Sequence, residues 1–204
     1  MWVMMKLGAE HYLRGYDTKE RWISYWYQIS EVLETGKKNV LEVGKGNGAI
    51  SDYLKKRGIN ITTVDIDPNL NPDYTCSVTD LTKNFPPNSF DIILCAEVLE
   101  HLPFQFFEKA LDELYSITKD YVIISLPYCG HNIRFLFEVS VVSGKSFKLK
   151  IPQSYKHNNT EHYWEIGTEQ TIKEVLTIME KRFKITKNYL PMENMYHNFF
   201  VLRK

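Results

Sequence analysis

Apolar and polar positions along the chain change period several times, and each change marks an element. Across 18–35, Trp22, Tyr25, Trp26, Ile29, Val32 and Leu33 recur three and four positions apart, which predicts one amphipathic helix closed by Gly36. An aromatic stripe of this kind reads as a packing face. The pattern then alternates. A continuous apolar run at 39–43 predicts a buried strand, 49–57 a helix stopped by Gly58, and 60–65 a second strand ended at Asp67-Pro68-Asn69. Short or continuous apolar runs predict strands at 74–78, 90–95 and 121–126, with a helix over 103–118. Ile172, Val175, Leu176 and Met179 place one face of a helix over 169–183, and strands at 184–190 and 197–202 finish the chain.

Strands alternating with helices of this length predict an α/β fold, a doubly wound seven-stranded sheet with helices on both faces. The sheet is expected to be mostly parallel. The last two strands have no helix between them, so they should form an antiparallel C-terminal hairpin at one edge. The sequence has no repeat, linker or low-complexity tract, and one domain is expected over 1–204. It would carry an N-terminal helical segment over about 1–36 and an insertion over about 129–166. That insertion interrupts the alternation with an apolar, helix-like run at 133–142 and a polar loop at 153–160. Insertions on such scaffolds carry specificity.

Charge narrows the partners. The 25 basic and 25 acidic residues cancel, so no global field draws in nucleic acid or an anionic membrane. Neither is expected as a partner; a small-molecule acceptor is, on a monomer or homodimer. The N-terminal MWVMMKLG is too short for a signal-peptide core, and no run approaches membrane-spanning length, so a soluble cytoplasmic chain is expected. Cys76, Cys95 and Cys129 are scattered without a CxxC pair, which suggests neither a zinc ribbon nor a disulfide framework. Cys76 and Cys95 read as small buried hydrophobes.

The densest chemical signal is Val40-Leu41-Glu42-Val43-Gly44-Lys45-Gly46-Asn47-Gly48-Ala49, a strand entering three alternate glycines and then a helix. Glycine permits positive φ and close backbone approach, and the helix start offers free N–H groups to a nucleoside-containing cofactor. Gly44-x-Gly46-x-x-Ala49, with Asp65 about twenty residues on, also satisfies the dinucleotide fingerprint. Three features favour S-adenosyl-L-methionine (SAM). Glu42 can meet a charged amine that a dinucleotide lacks. Asp80 suits an adenine amino group. The third glycine, Gly48, falls one residue earlier than the dinucleotide pattern prefers.

On VLEVGKGNG (40–48), TTVDIDP (62–68) and SFDIILCAEVLEHLP (89–103), the chain resembles the class I SAM-dependent methyltransferases that act on small molecules, over about 16–204. The resemblance implies a Rossmann-like fold and a SAM site. In it Glu42, Gly44 and Gly46 line the methionine end, with Gly48 closing the loop. Asp65 with the adjoining Ile66 takes the ribose, Asp80 with Leu81 holds the adenine, and Glu97 faces the methionine or acceptor side. Lys45 departs from the family's small residue and is expected to point to solvent.

Methyl transfer from a sulfonium is an in-line displacement dominated by positioning, and a base helps only where the acceptor must lose a proton. The candidate bases are His101, His131, His157 and His162, of which His101, His157 and His162 are the expected catalytic residues. Glu97, Glu100 and His101 would share one face of a helical turn. This ExxEH run resembles the metal site of small-RNA 2′-O-methyltransferases, but it is common in small-molecule relatives and no metal is expected. Trp164 should join His157 and His162 in an acceptor wall, Tyr128 should face the same crevice, and Tyr12 and Tyr16 suggest a lid. Three alternatives remain open: a metal-assisted RNA 2′-O-methyltransferase, an NAD-dependent oxidoreductase, and a non-catalytic SAM-binding subunit.

Overall fold

The computed structural model describes residues 12, 15–139, 142–151 and 161–204. Its helices are α1 (Lys19–Glu34), α2 (Ala49–Lys56), α3 (Phe107–Ile117) and α4 (Ile172–Glu180). Its strands are β1 (Asn39–Val43), β2 (Asn60–Asp65), β3 (Tyr74–Thr75), β4 (Phe90–Ala96), β5 (Thr118–Pro127), β6 (His131–Val139), β7 (Val142–Ile151), β8 (Lys184–Tyr189) and β9 (His197–Arg203). Seven strands form one sheet in the order β3-β2-β1-β4-β5-β9-β8. The β1–β2, β2–β3, β1–β4 and β4–β5 pairs are parallel. The β5–β9 and β8–β9 pairs are antiparallel. This is the expected doubly wound arrangement, with the C-terminal hairpin at one edge.

Strand parity divides the core. Leu41, Val43, Ile93, Cys95, Val122 and Ile124 point to the face covered by α3 and α4. Val40, Ile92, Leu94, Ile123 and Val201 point to the face covered by α1 and α2. Glu42 has the parity of Val40, so its carboxyl is directed into the α1/α2 side just below the glycine loop.

Local corrections follow from partner availability. Helix α1 starts as expected, with Thr18 accepting from Arg21 N. Its inward face, however, is Ser24, Tyr25, Gln28, Glu31 and Val32, and Trp22 and Trp26 stay 55% and 61% exposed. The polar face can be buried because its groups find partners. Ser24 bonds His197, and Glu31 accepts from Tyr189 Oη at 2.6 Å and Lys187 Nζ at 2.9 Å. Strand β3 stops at Thr75, not 78, because β2 ends at Asp65, the partner of Thr75, and leaves nothing further to pair with.

The insertion departs most from expectation. The run at 133–142 is not helical: β6 and β7 form a separate antiparallel hairpin, with Asn132 opposite Lys150 and Phe135 opposite Phe147. Ile133, Phe135, Phe137 and Val139 alternate with polar or aliphatic residues, which is strand period in aromatic and β-branched residues. Beyond it, Tyr163 N donates to Glu100 O at 2.8 Å and Trp164 Nε1 to Leu102 O at 3.1 Å, strapping the end of the insertion onto the segment after β4.

Candidate active site

The glycine loop lies at the C-terminal end of β1, in the crevice where open α/β sheets bind ligands. Gly44 has φ +83°, and a Cβ there would sit 2.3 Å from Val98 Cγ2, so only glycine lets the segment after β4 cross this close. Gly48, at φ +78°, is the left-handed N-cap of α2 and aims the helix's free N–H groups toward the loop. Asp65, the last residue of β2, is tied to the same loop. Its Oδ2 accepts from Gly46 N at 3.2 Å and its Oδ1 from Asp67 N at 3.0 Å. A carboxylate has about four acceptor positions, so both oxygens can still receive hydroxyl groups.

Glu42 is 4% exposed and lines the cleft floor. Its Oε2 is buried and has no hydrogen-bond partner. Burial pushes its carboxyl up to about 8, with Ser51 and the more distant Lys45 opposing that shift. An orphaned buried acceptor in a cleft is the signature of a site built for a donor that arrives with a ligand.

The other cofactor-side residues are placed less uniformly. Ile66 lines the cleft, together with Cys76 and Val78. Cys76 is only half-buried, whereas Cys95 is fully buried. Leu81 is a fully buried core residue, and Asp80 Oδ1 is paired with Lys83 Nζ at 2.8 Å. Neither is among the described residues lining the cleft. Lys45 does not extend into solvent as expected. Its Nζ donates to Leu70 O at 2.8 Å and Asn71 O at 2.6 Å, so its charge caps two carbonyls at the cleft wall.

The ExxEH run is split between two tasks. Glu97, at φ +55°, accepts from Ser125 Oγ at 2.7 Å through Oε1 and meets His197 Nε2 at 3.1 Å through Oε2. Glu100 is buried, and His101 lines the same cleft as Glu97. His101 Nδ1 is 2.7 Å from Glu161 O, and a carbonyl can only accept, so Nδ1 carries the proton and the neutral ring keeps a lone pair on Nε2. Burial lowers the His101 pKa, which favours that neutral form. Glu100 is fully buried and neither oxygen has a hydrogen-bond partner, Oε1 lying 4.0 Å from His101 Nε2; burial, followed by the nearby Glu97, raises its pKa well above the carboxylate range.

His162 stands edge-on to His101 at 5.0 Å between ring centroids, and its Nδ1 is 2.5 Å from Glu165 Oε1. Glu165 also accepts from Tyr196 Oη at 2.8 Å and from the Cys129 thiol. Burial pushes Glu165 up, but these donors outweigh it and hold the carboxyl below its ordinary range. Glu100, His101 and His162 present one ligand atom each within 4.8 Å of one another, a grouping that could hold a divalent cation. Trp164 is no acceptor wall: it is buried edge-on against the stacked Phe104 and Phe107, at 4.9 and 5.2 Å between centroids. His131 is exposed at the start of β6, and His157 lies outside the described residues.

A family model described as a methyltransferase domain matches residues 41–125, from within β1 into β5. That span is less than half of the chain. Curated relatives include ubiquinone biosynthesis O-methyltransferases from Idiomarina loihiensis, 33% identical over 79 residues, and Xanthomonas euvesicatoria, 35% identical over 89 residues. These alignments cover 32% of this chain and of the first relative, and 37% of this chain and of the second. The match therefore spans about a third of those proteins. Solved structures agree on the fold across nearly the whole chain. The N-methyltransferase NodS from Bradyrhizobium japonicum, in complex with S-adenosyl-L-homocysteine (SAH), has a TM-score of 0.62 at 14% identity, covering 94% of this chain and 91% of that one. A SAM-dependent methyltransferase from Aquifex aeolicus has 0.61 at 17% identity, covering 97% and 99%.

The cleft is completed by residues that precede the matched span: Tyr12, Tyr16, Arg21, Tyr25 and Gln28. Arg21 lies over the Tyr16 ring, its guanidinium carbon 4.6 Å from the centroid, and Tyr12 meets Tyr16 edge-on at 4.6 Å. Arg21, Tyr25 and Gln28 fall three and four positions apart on α1, so the periodicity was readable. The apolar stripe alone did not convey that these positions line the cleft.

Proposed function

We propose that this chain transfers a methyl group from SAM to a small-molecule acceptor bearing an ionisable O–H or N–H. The orphaned Glu42 Oε2 carries the reading, because a buried carboxyl at the cleft floor suits the ammonium of SAM and has no counterpart to meet on a nicotinamide dinucleotide. Arg21, in the same cleft, would take the cofactor's carboxylate. Asp65, already oriented by Gly46 and Asp67, would accept the ribose hydroxyls. Ile66, Cys76 and Val78 are the groups left to pack the adenine, in place of Asp80 and Leu81.

When bound, SAM supplies the electrophilic methyl on a sulfonium centre. The chain's own work is to position the acceptor and take its proton. His101 Nε2 is the base at the cleft wall, since Nδ1 is committed to the Glu161 carbonyl. Glu165 holds His162 beside it. The balanced net charge favours a small acceptor over RNA. The relatives' role in ubiquinone biosynthesis supports the same class, as does the N-methyltransferase neighbour. The test is SAH formation from SAM across a panel of small phenols, catechols and amines, beside single-stranded and duplex RNA. Turnover with members of the small-molecule panel is expected; turnover with RNA alone would contradict the acceptor class.

A further inference from the structure

We propose that His197 is a positioning residue that holds Glu97 as a fixed counter-charge for the sulfonium of SAM, so that the cleft prefers the cationic cofactor to its neutral product SAH. The proposal rests on the SAM reading above and adds how the site distinguishes the two cofactor states. It stands on a chain of buried hydrogen bonds that runs from Asn194 through Ser24 and His197 to Glu97.

Asn194 starts the chain. Its Oδ1 accepts from Tyr196 N at 3.1 Å, which fixes the amide, and its Nδ2 donates to Glu20 O at 3.0 Å and to Ser24 Oγ at 2.9 Å. Ser24 Oγ, which keeps its own proton, lies 2.5 Å from His197 Nδ1, and Asn194 Nδ2 lies 3.5 Å from the same nitrogen, so Nδ1 faces two groups able to donate to it. With Nδ1 accepting, the neutral ring carries its proton on Nε2 and donates to Glu97 Oε2 at 3.1 Å. Ser125 Oγ donates to the other oxygen at 2.7 Å. Ser24, Asn194 and His197 are all buried, and burial lowers the His197 pKa, in keeping with a neutral ring.

Two consequences follow from this pattern. Glu97 meets donors at both oxygens, which suits a carboxylate, and both donors are neutral, so its charge is held without being cancelled. Arg21 shares the cleft and is electrostatically coupled to Glu97, but makes no ion pair with it within 4.0 Å among the described residues. Glu97 also holds a left-handed backbone conformation unusual for a non-glycine residue, secured by its N–H to Ser125 O at 3.1 Å. Its anchors are on β5 and β9, across β4 from β1 and the glycine loop. Glu42 and Glu97 line the same cleft from β1 and from the end of β4, so with Glu42 serving the ammonium, Glu97 is the carboxylate left to face the sulfonium.

The experiment is calorimetric titration of SAM and SAH into the wild type, His197→Leu and His197→Gln, which needs no acceptor. The wild type should prefer SAM. His197→Leu should narrow that preference by about tenfold, chiefly through weaker SAM binding, the size expected for one displaced, partly buried charge. His197→Gln, whose amide can still donate to Glu97, should keep most of it. Equal weakening of both ligands in His197→Leu, or an unchanged preference, overturns the proposal. If His197→Leu does not fold, Ser24→Ala, which removes the donor that sets the ring's tautomer, is read by the same criterion. A wild type that binds neither ligand overturns the SAM reading itself, and this proposal with it.

Discussion

Glu42 is a carboxyl in a strand interior, on the α1/α2 side of the sheet, raised by burial to about 8 from an ordinary 4.5. As pH climbs past 4.5 the unfolded chain releases this proton while the folded chain keeps it until about 8. Its contribution is therefore fully present below 4.5 and is lost as pH rises through about 8. Glu42→Gln should unfold at a higher temperature than the wild type at pH 8, with the gap closing toward pH 5, and should bind SAM more weakly. Parallel pH–melting curves decide it: a wild type with no relative loss between pH 5 and 8 would show that Glu42 is not buried as described. At this scale the sequence disclosed residues whose chemistry is local. Gly44, Glu42 and Asp65 stand at the turn and strand ends where the sequence put them, because turn geometry and strand ends are encoded by neighbours. The places of Lys45 and Trp164 were not legible, because their partners, the carbonyls of Leu70 and Asn71 and the Leu102 carbonyl, are set by tertiary placement.

At the scale of elements, the β1–loop–α2 unit depends on a close crossing of the segment after β4. Gly44→Ala would combine a left-handed backbone unfavourable to alanine with a Cβ 2.3 Å from Val98 Cγ2. It should lower stability by about 1–3 kcal/mol, the usual cost of overpacking. Adding Val98→Ala should recover the steric part and leave the backbone part. A double-mutant cycle with no coupling between the two sites would contradict the crossing. Element identity was legible wherever one period ran undisturbed: β1 and β2 match their expected spans, and α1 differs only at its ends. The β6–β7 hairpin was not, because a short run rich in apolar residues satisfies helix and strand templates alike, and the alternation of Ile133, Phe135 and Phe137 was outweighed by overall apolarity. In α1, buried polar groups with distant partners turned the inward face away from Trp22 and Trp26 while keeping Tyr25 and Val32 inside.

At the scale of the whole molecule, the doubly wound sheet with its antiparallel edge followed from element order, and the cleft from the C-terminal ends of β1, β2 and β4. What sequence order did not convey was that α1 returns to that cleft with Arg21, Tyr25 and Gln28, or that 161–166 packs onto the ExxEH segment. These contacts join residues far apart in the chain and leave no short motif. The central claim, a cleft built for a cationic adenosyl cofactor, is tested most directly by thermal unfolding of the wild type and Asp65→Ala with SAM, SAH, NAD or NADP. At a hundred times its dissociation constant a ligand stabilises by about 2.7 kcal/mol, enough to raise the midpoint by several degrees. SAM and SAH should both raise the wild-type midpoint, the nicotinamide cofactors should not, and Asp65→Ala should lose most of the shift. A rise with NAD or NADP and none with SAM would contradict the assignment of Glu42 and return the glycine loop to a dinucleotide.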